Sequence, residues 1–303
     1  MNQTLRAKRW LATFVFIYCL VASGCGAEVV KSPIEGHGFV ADFYYRPHST
    51  NRLGVLLLGG SEGGKPHGYF AQFLATNGYP TLALAYFKEK GLPDSLQLIP
   101  LEYFDKAIAW METNKQVHVD RVVVVGASRG AELALLLAST NPKIKGVIAL
   151  SPSSVVWNGM PEELPIVPCS SWTLGGKPVP FMPYDSTKAA APTDMHDIYL
   201  SFQAALQHME LVKKATIIVE RIHGPVLLAS GQDDAIWPAG EMADAICSRL
   251  KEKGFKYKYE NLKYPDAGHT LDERWMIGGT FEGNKKARID FDERVLVFLK
   301  AIE

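Results

Sequence analysis

Six short apolar segments of the chain are bounded by glycine, proline and polar turn residues. Most of them are rich in valine, leucine and alanine and show little polar alternation, a pattern typical of strands buried on both faces. The predicted strands are residues 54–58, 81–86, 121–125, 146–150, 225–230 and 255–262. Such strands belong in a sheet that helices cover on both sides.

Between these segments, apolar residues recur at the three- and four-residue spacing of amphipathic helices. The apolar stripes comprise Leu101, Phe104, Ile108 and Met111, then Leu133, Leu136 and Leu137, and then Met242, Ile246 and Leu250. Because strands and helices alternate, the chain is predicted to form an α/β fold with a doubly wound, mostly parallel sheet.

One long interval, residues 152–223, separates two strands that should be neighbours and is rich in proline. It contains one helical stretch at about residues 198–213. Intervals of this length within a compact domain are uncommon as simple connections and are usually functional. We therefore expect a cap, or lid, inserted between two strands of the sheet.

The N-terminal segment differs from the rest of the chain. Arg6, Lys8 and Arg9 precede an uncharged run over residues 10–21. This run is shorter than the roughly 20 apolar residues that a membrane-spanning helix needs. A basic segment followed by a short apolar one is typical of a secretory signal peptide. Residues 1–24 are therefore predicted to be a signal peptide, and the protein is expected to be exported.

The sequence Val-Ala-Ser-Gly at residues 21–24 leads directly to Cys25 and resembles the lipobox of bacterial lipoproteins. In this interpretation Cys25 becomes the lipidated first residue and holds the protein at a membrane of the cell envelope. A short linker over residues 25–35 would then precede one domain over residues 36–303. Two alternatives stay open: ordinary cleavage after Ala27, which gives a periplasmic or secreted soluble protein, and an uncleaved N-terminal helix.

The composition narrows the classes of function. Among 303 residues, 32 Lys and Arg balance 32 Asp and Glu, so no excess of positive charge favours nucleic acid as a partner. The four cysteines stand at positions 19, 25, 169 and 247 without a C-x-x-C pair, which argues against a structural zinc site. Cys169 and Cys247 could pair in an oxidising compartment or remain free. No metal or cofactor is expected.

Residues 126–130 form a G-x-S-x-G pattern centred on Ser128. Four valines at residues 122–125 precede it and a helix-favouring stretch at 131–138 follows, so the serine is predicted to lie on a sharp strand-to-helix turn. Such an elbow presents the hydroxyl at the positive end of a helix, where a developing oxyanion is stabilised. The same pattern also fits an ordinary strand–turn–helix packing motif.

A serine nucleophile needs a base, and the base needs an acid that orients it. Asp234 follows the fifth predicted strand and His269 follows the sixth. Because carboxyl ends of parallel strands share one sheet edge, Ser128, Asp234 and His269 are predicted to form a catalytic triad. Taken singly, His269 could be a solvated loop residue, and Asp233 and Asp234 could cap the next helix. The remaining histidines are interpreted as surface or lid residues.

The glycine-rich segment at residues 59–64 follows the first predicted strand. Its position suits the loop that supplies one backbone donor of an oxyanion hole, and Ser61 is predicted to be that donor. The other donor would be the backbone amide of Arg129, next to the nucleophile. A phosphate-binding loop is the alternative, but the segment lacks both the G-K-[ST] and the G-x-G-x-x-G patterns.

Together, several motifs resemble the catalytic domain shared by acyl-CoA thioesterases and bile acid-CoA:amino acid N-acyltransferases. The motifs that carry the resemblance are residues 101–104, 126–133, 231–234, Trp237 and 264–269. The resemblance extends over about residues 37–303. It implies an α/β-hydrolase fold and a Ser or Cys, Asp and His triad, which corresponds here to Ser128, Asp234 and His269.

The identity of the nucleophile distinguishes the two activities of that family. Its amino acid acyltransferases use cysteine, whose thioester intermediate is readily attacked by amines, whereas an ester on Ser128 is left to water. The expected function is therefore an acyl-CoA thioesterase-like serine hydrolase acting on a small-molecule acyl thioester or ester. The alternatives are a carboxylic ester hydrolase of the dienelactone hydrolase type and a catalytically inactive, ligand-binding lipoprotein.

The interval 152–223 also bears on the acyl group of such a substrate. Its large apolar side chains could form an acyl pocket over the elbow, or could instead pack a core of the inserted segment itself. These side chains are Trp157, Trp172, Phe181, Met182 and Tyr184.

Overall fold

The computed structural model describes residues 28–161, 168–183 and 195–303. Within these ranges, eight strands form a central sheet and three short strands form a second sheet. In chain order the strands are β1 Val30–Ile34, β2 Val40–Tyr45, β3 Leu53–Leu58, β4 Thr81–Ala85, β5 Ile99–Pro100, β6 Arg121–Ala127, β7 Ile144–Leu150, β8 Trp172–Leu174, β9 Lys177–Pro178, β10 Val226–Gly231 and β11 Tyr259–Tyr264.

The central sheet has the strand order β1-β2-β4-β3-β6-β7-β10-β11. From β4 to β11 all neighbouring strands are parallel, whereas β2 is antiparallel to both β1 and β4. The predicted mostly parallel sheet is thus confirmed. Because the parallel strands share one carboxyl edge, the loops after β3, β6, β10 and β11 all leave the sheet on that edge.

Helices cover both faces of the central sheet. In chain order, the helices of the described residues are α1 Gly68–Thr76, α2 Glu102–Thr113, α3 Arg129–Thr140, α4 Met195–Ala205, α5 Met209–Ala215, α6 Ala239–Glu252 and α7 Phe281–Lys300. Helices α2, α3 and α6 bury Phe104, Leu133 and Ile246 against one face. On the other face, α1 and α7 bury Leu74 and Val295. This two-sided cover explains why the central strands lack polar alternation.

The predicted set of strands lacks β1 and β2, because polar residues interrupt their apolar pattern. Asp42 of β2 is buried and forms salt bridges with Lys31 Nζ at 2.9 Å and Lys65 Nζ at 2.8 Å. A paired carboxylate can be buried at this edge of the sheet, although an isolated one could not. The apolar pattern alone therefore underestimates how far the sheet extends.

Two further elements differ from their predicted bounds. The sixth predicted strand, residues 255–262, is β11 in the structure and begins at Tyr259, which pairs with the first residue of β10, Val226. The helical stretch expected at residues 198–213 consists of two helices, α4 and α5, because the chain turns at residues 206–208.

The segment between β7 and β10 is where an insertion is predicted. Its described residues carry β8, β9, α4 and α5. Strand β8 pairs in parallel with β5 and antiparallel with β9, so this segment is hydrogen-bonded to the chain that precedes α2. Trp157, Trp172 and Met182 are completely buried, whereas Tyr184 lies outside the described residues.

The predicted signal peptide, residues 1–24, and Cys25 also lie outside the described residues. Cys169 and Cys247 are both free, so they do not form a disulfide with each other. In the part of the chain that the structure describes, no helix is both long and apolar enough to cross a bilayer. The same residues contain no group of three or more His, Cys, Asp or Glu side chains placed to hold a metal ion.

Candidate active site

Ser128 occupies a sharp turn between β6 and α3. Its backbone has φ 57° and ψ −122°, a conformation that costs a non-glycine residue about 1–3 kcal/mol and is concentrated at functional sites. Both flanking glycines are required by close approach. A Cβ at Gly126 would lie 2.0 Å from the Gly130 oxygen, and one at Gly130 would lie 2.2 Å from the Gly59 oxygen. The Ser128 amide donates to the Leu150 carbonyl at 2.9 Å and fixes the turn.

Asp234 lies in the loop after β10, where both of its carboxylate oxygens have partners. Oδ2 is 2.7 Å from His269 Nδ1. Oδ1 accepts the backbone amides of Ile236 at 2.8 Å and Trp237 at 3.2 Å. The Asp234 side chain is only 3% exposed, so these bonds fix the direction of the carboxylate. With Nδ1 engaged, Nε2 is the imidazole nitrogen that remains for another partner.

His269 follows β11 and is held through its backbone as well as its ring. Its amide donates to the Ile277 carbonyl at 2.8 Å, and its carbonyl accepts the Ser151 hydroxyl at 2.6 Å. The Trp237 indole meets the imidazole edge to face, with ring centroids 5.7 Å apart. A buried ring with these contacts is oriented before any substrate arrives.

The structure distinguishes the two adjacent acids. Asp233 is exposed, and its backbone amide donates to the Ala267 carbonyl at 2.9 Å. The residue that contacts His269 is Asp234. The alternative in which Asp233 or Asp234 caps the next helix is wrong, because the N-cap residue of α6 is Pro238 and no side chain caps this helix. The free oxygen of Asp234 instead accepts two amides of the turn before the helix.

A cavity of about 670 Å³ lies at the carboxyl edge of the sheet. Ser128, His269 and Ser61 line it, together with other residues of the β3–α1 loop, α1, the β11–α7 loop and α7. Its volume is within the roughly 300–1,000 Å³ of cavities that bind small molecules. Three of the predicted site residues thus face one common space, and Asp234 is connected to it through His269.

The loop after β3 lies directly against the serine elbow. A Cβ placed on Gly60 would be 3.2 Å from the Ser128 Cβ. The Gly60 amide donates to Glu62 Oε1 at 2.9 Å. Because that amide is engaged, the amide of the next residue, Ser61, is the better candidate for the oxyanion donor of this loop.

Tyr86, the residue after β4, supports the same loop from the core. Its hydroxyl donates to the Gly59 carbonyl at 2.6 Å. Burial raises the pKa of Tyr86 well above its usual range, so the hydroxyl stays protonated and remains a donor. The sequence motifs indicate neither this role nor that of Glu62. Glu62 is visible as the one charged residue of segment 59–64, whereas the contact of Tyr86 depends on β4 lying beside β3.

Arg129 is the first residue of α3, so its backbone amide lies at the helix N-terminus beside Ser128. Its side chain is buried: Nη1 is 2.8 Å from Glu132 Oε2, and Nη2 donates to the Asn158 carbonyl at 2.9 Å. Glu132 also accepts the Trp172 indole N–H at 2.7 Å. Burial raises the pKa of Glu132, although the charge of Arg129 opposes this. These contacts join the first turn of α3 to the insertion.

Four of the five large apolar side chains that could form an acyl pocket lie within the described residues, and they pack against cores of the protein. Trp157 and Met182 belong to a buried cluster with Phe202, and Trp172 belongs to the main core, against which Phe181 also packs. None of them is among the described residues that line the cavity. Within the described residues, these side chains therefore pack in the protein interior and do not form an acyl pocket over the serine elbow.

Aromatic residues surround the mouth of the cavity. His67, interpreted from the sequence as a surface or lid residue, lines the cavity and stacks on Trp275, with ring centroids 5.6 Å apart and planes 9° apart. The Arg274 guanidinium lies over the Tyr69 ring at 4.1 Å. The two stacked rings come from different loops, after β3 and after β11, which is why their proximity is not visible in the sequence.

The family to which the chain belongs is identified by comparison with known protein families. Residues 99–276, more than half of the chain, match the family described as "BAAT / Acyl-CoA thioester hydrolase C terminal". The chain belongs to this family. The resemblance seen in the sequence motifs is thereby confirmed, and all of those motifs lie within the matched residues.

Curated members of related sequence carry thioesterase names. The chain is 32% identical over 244 residues to mitochondrial acyl-coenzyme A thioesterase 2 of Mus musculus, which is 80% of this chain and 50% of that protein. It is 28% identical over 289 residues to acyl-coenzyme A thioesterase 6 of Mus musculus, which is 90% of this chain and 65% of that protein. It is 25% identical over 287 residues to the peroxisomal succinyl-coenzyme A thioesterase of Mus musculus, which is 89% of this chain and 65% of that protein. The chain thus spans 50% to 65% of the length of these relatives.

Similar solved structures share the fold. A putative dienelactone hydrolase from Klebsiella pneumoniae superposes with a TM-score of 0.56 at 15% identity, covering 90% of this chain and 98% of that one. A Pyrococcus furiosus esterase gives a TM-score of 0.56 at 16% identity, covering 98% and 99%. With the mostly parallel eight-stranded sheet, these similarities confirm the α/β-hydrolase fold.

Proposed function

We propose that this protein is a serine hydrolase that cleaves an acyl thioester through an acyl-enzyme on Ser128. The observation that carries the proposal is the 2.7 Å contact of Asp234 with His269 beside a cavity that Ser128 also lines. Family membership supports the reaction class, because the relatives are named acyl-coenzyme A thioesterases. The proposed substrate is a small-molecule acyl thioester.

In the proposed first half-reaction, the Ser128 hydroxyl attacks the acyl carbon while Nε2 of His269 takes the hydroxyl proton. Asp234 holds Nδ1 and stabilises the imidazolium. The backbone amides of Arg129 and Ser61 bind the oxyanion of the tetrahedral intermediate. Its collapse breaks the carbon–sulfur bond, the thiol leaves with the proton from His269, and the acyl group stays on Ser128.

In the second half-reaction, His269 takes a proton from a water molecule, whose oxygen attacks the acyl carbon. Collapse of this second intermediate breaks the ester bond, and His269 returns the proton to the Ser128 oxygen. The products are the free acid and the restored enzyme. Because an oxygen ester reacts less readily with amines than a thioester does, a serine at this position favours hydrolysis over transfer to an amine.

The proposal is tested by hydrolysis of matched decanoyl thioesters and oxygen esters by the purified full chain. Ser128→Ala should reduce thioester hydrolysis by at least about 10³-fold, whereas Ser139→Ala should leave it near wild type. Ser139 is the matched control because its hydroxyl bonds the Leu136 carbonyl within α3, away from the cavity. Full activity of Ser128→Ala would refute the mechanism. A strong preference of the wild type for oxygen esters would instead support the carboxylic ester hydrolase alternative.

We also propose that the protein is exported and anchored in the cell envelope by a lipid on Cys25. The basic and apolar segments over residues 1–24 and the small residues before Cys25 support this proposal. Cys25→Ser should move the protein from the membrane fraction to the soluble fraction, because the lipid is attached through that sulfur. Cys169→Ser is the matched control and should stay with the membrane. Retention of Cys25→Ser in the membrane fraction, or a soluble wild type, would contradict the lipid anchor.

A further inference from the structure

The cavity beside Ser128 extends toward the face of the sheet that α1 and α7 cover. Leu57 and Val125, from the adjacent strands β3 and β6, line it and belong to the apolar cluster of that face. Phe70 of α1 and Phe291 of α7 also line it and stack on each other, with ring centroids 6.2 Å apart. Neither this cluster nor the described cavity lining includes a residue of the insertion.

The mouth of the cavity continues this apolar surface toward solvent. Trp275 is 63% exposed and Tyr69 is 50% exposed, and both line the cavity. Large aromatic side chains that remain in water beside a cavity are typical of a ligand-binding surface. A chain that starts at Ser128 therefore has apolar walls both within the cavity and at its mouth.

Among the described residues, the charged side chains that line the cavity offer no free cation to an acyl group that ends in a carboxylate. The Arg274 guanidinium binds the Asp272 carboxylate through Nε at 2.8 Å, and Arg288 binds Glu273 through two hydrogen bonds of 2.8 Å. Asp292 lies 3.8 Å from Arg288 and is mostly buried. The described lining residues include no lysine and no third arginine. A carboxylate entering here would be desolvated next to acids whose cationic partners are already engaged.

We propose that the acyl chain of the substrate binds between α1 and α7, and that this site accepts apolar acyl groups and rejects those that end in a carboxylate. The inference rests on the proposed hydrolase function and adds to it the position of the acyl group and the class of acyl group accepted. Phe70 and Phe291 are the residues that limit the length of the chain. Asp292 is the residue that opposes a terminal charge.

Chain length is tested with acyl thioesters of N-acetylcysteamine, whose uncharged thiol keeps leaving-group charge constant. The full wild-type chain should show a kcat/KM for decanoyl at least about tenfold above that for acetyl. Phe70→Trp should lower this decanoyl-to-acetyl ratio by about fivefold or more while acetyl hydrolysis continues. Phe181→Trp is the matched control, because Phe181 is a half-buried phenylalanine of the insertion that does not line the cavity.

A ratio that changes with Phe181→Trp and not with Phe70→Trp would overturn the proposal and place the acyl chain under the insertion. If Phe70→Trp does not fold, Phe291→Leu provides the second variant. A smaller residue at this wall should raise kcat/KM for tetradecanoyl relative to decanoyl by about fivefold. No change in that ratio would also overturn the proposal.

Charge selection is tested with butyryl and succinyl thioesters of the same thiol, which differ mainly by the terminal carboxylate. The kcat/KM of the wild type for the butyryl thioester should exceed that for the succinyl thioester by at least about tenfold. Asp292→Asn should reduce this ratio several-fold. Asp290→Asn is the matched control on α7, since Asp290 bonds the Tyr264 hydroxyl at 2.8 Å and does not line the cavity. Equal hydrolysis of the two thioesters by wild type would overturn the charge selection.

Failure of the proposed function is distinguishable from failure of the acyl site. If the wild-type protein hydrolyses no thioester or ester, the hydrolase proposal fails, and the site is examined by calorimetric titration with N-methyldecanamide. Binding that Phe70→Trp weakens and Phe181→Trp leaves unchanged would support an apolar site between α1 and α7. No binding, or binding that neither variant affects, would overturn it.

Discussion

The carboxylate of Asp234 and the imidazole of His269 form one buried pair, joined at 2.7 Å between Oδ2 and Nδ1. The other carboxylate oxygen is held by the amides of Ile236 and Trp237, so the acid cannot rotate away without losing three bonds. An imidazole fixed in this way has a defined tautomer and a defined direction. The pair meets the requirement for a base that is oriented before substrate binds.

Replacing the acid of this pair should greatly reduce turnover. Asp234→Asn preserves the shape but offers His269 Nδ1 an amide, which favours the wrong tautomer and removes the charge that stabilises the imidazolium. We expect kcat on an activated thioester to fall by about 10⁴-fold, or roughly 5 kcal/mol of transition-state stabilisation. Circular dichroism should confirm that the variant is folded.

The control for that change is the adjacent acid. Asp233 is exposed and bonds the Ala267 carbonyl through its backbone amide, which asparagine keeps, so Asp233→Asn should reduce turnover by less than about tenfold. Equal losses in the two variants, or a larger loss at Asp233, would contradict the assignment of Asp234 as the acid that orients His269.

Glu62 should influence catalysis without contacting the substrate carbonyl. Its carboxylate accepts the Gly60 amide at 2.9 Å in the loop against Ser128. Glu62→Ala should lower kcat by about 10- to 100-fold with little change in KM, because a misplaced oxyanion donor acts mainly in the transition state. Glu62→Gln keeps an oxygen acceptor and should recover most of kcat. A Gln variant as impaired as the Ala variant would show that the hydrogen bond to Gly60 is not the cause.

The buried ion pair beneath the elbow should contribute to stability. Arg129→Met leaves Glu132 buried without its counter-ion, and the free energy of unfolding should fall by about 3–5 kcal/mol. Adding Glu132→Gln should recover part of that loss, because the uncompensated charge disappears. Urea unfolding of the single and double variants measures both effects. Additive losses in the double variant would contradict a direct coupling of the two residues.

Asp292 should make stability depend on pH. Burial raises its pKa from 3.8 to about 6 in the folded protein, so the native state binds this proton more tightly than the unfolded state does. Protonated Asp292 therefore stabilises the folded protein fully at a pH below its unfolded pKa, and this stabilisation is lost as the pH rises through about 6. The free energy of unfolding should decrease as the pH rises from 3.8 to about 6. Asp292→Asn should lack this decrease in urea titrations, and Asp290→Asn should retain it. Identical pH dependence in all three proteins would contradict the shift.

Much of the fold can be predicted because the central strands are buried on both faces. Unbroken apolar runs then mark strands such as β3 and β6 directly. Strands β1 and β2 escape this signal because Lys31 and Asp42 are polar, and only the folded chain shows that the two form a salt bridge. The insertion shows a related limit: the same apolar side chain can line a pocket or fill a core, and packing decides between them.

The residues proposed for catalysis are recognisable for a different reason. Ser128, Asp234 and His269 each follow a predicted strand in a fixed chain order, so sequence alone places them at one edge of the sheet. Tyr86 and His67 have no such signal. Their contacts arise because β4 lies beside β3 and because two loops meet at the cavity mouth, relationships that depend on tertiary structure.

The acyl-enzyme on Ser128 is measured most directly by mass spectrometry of the full chain, acid-quenched during turnover of a decanoyl thioester. We expect one added decanoyl group, located on the peptide that contains Ser128, and we expect it to disappear as substrate is exhausted. Ser128→Ala should carry no added group and should not release the thiol. A decanoyl group on a different residue, or continued thiol release by Ser128→Ala, would show that Ser128 is not the nucleophile.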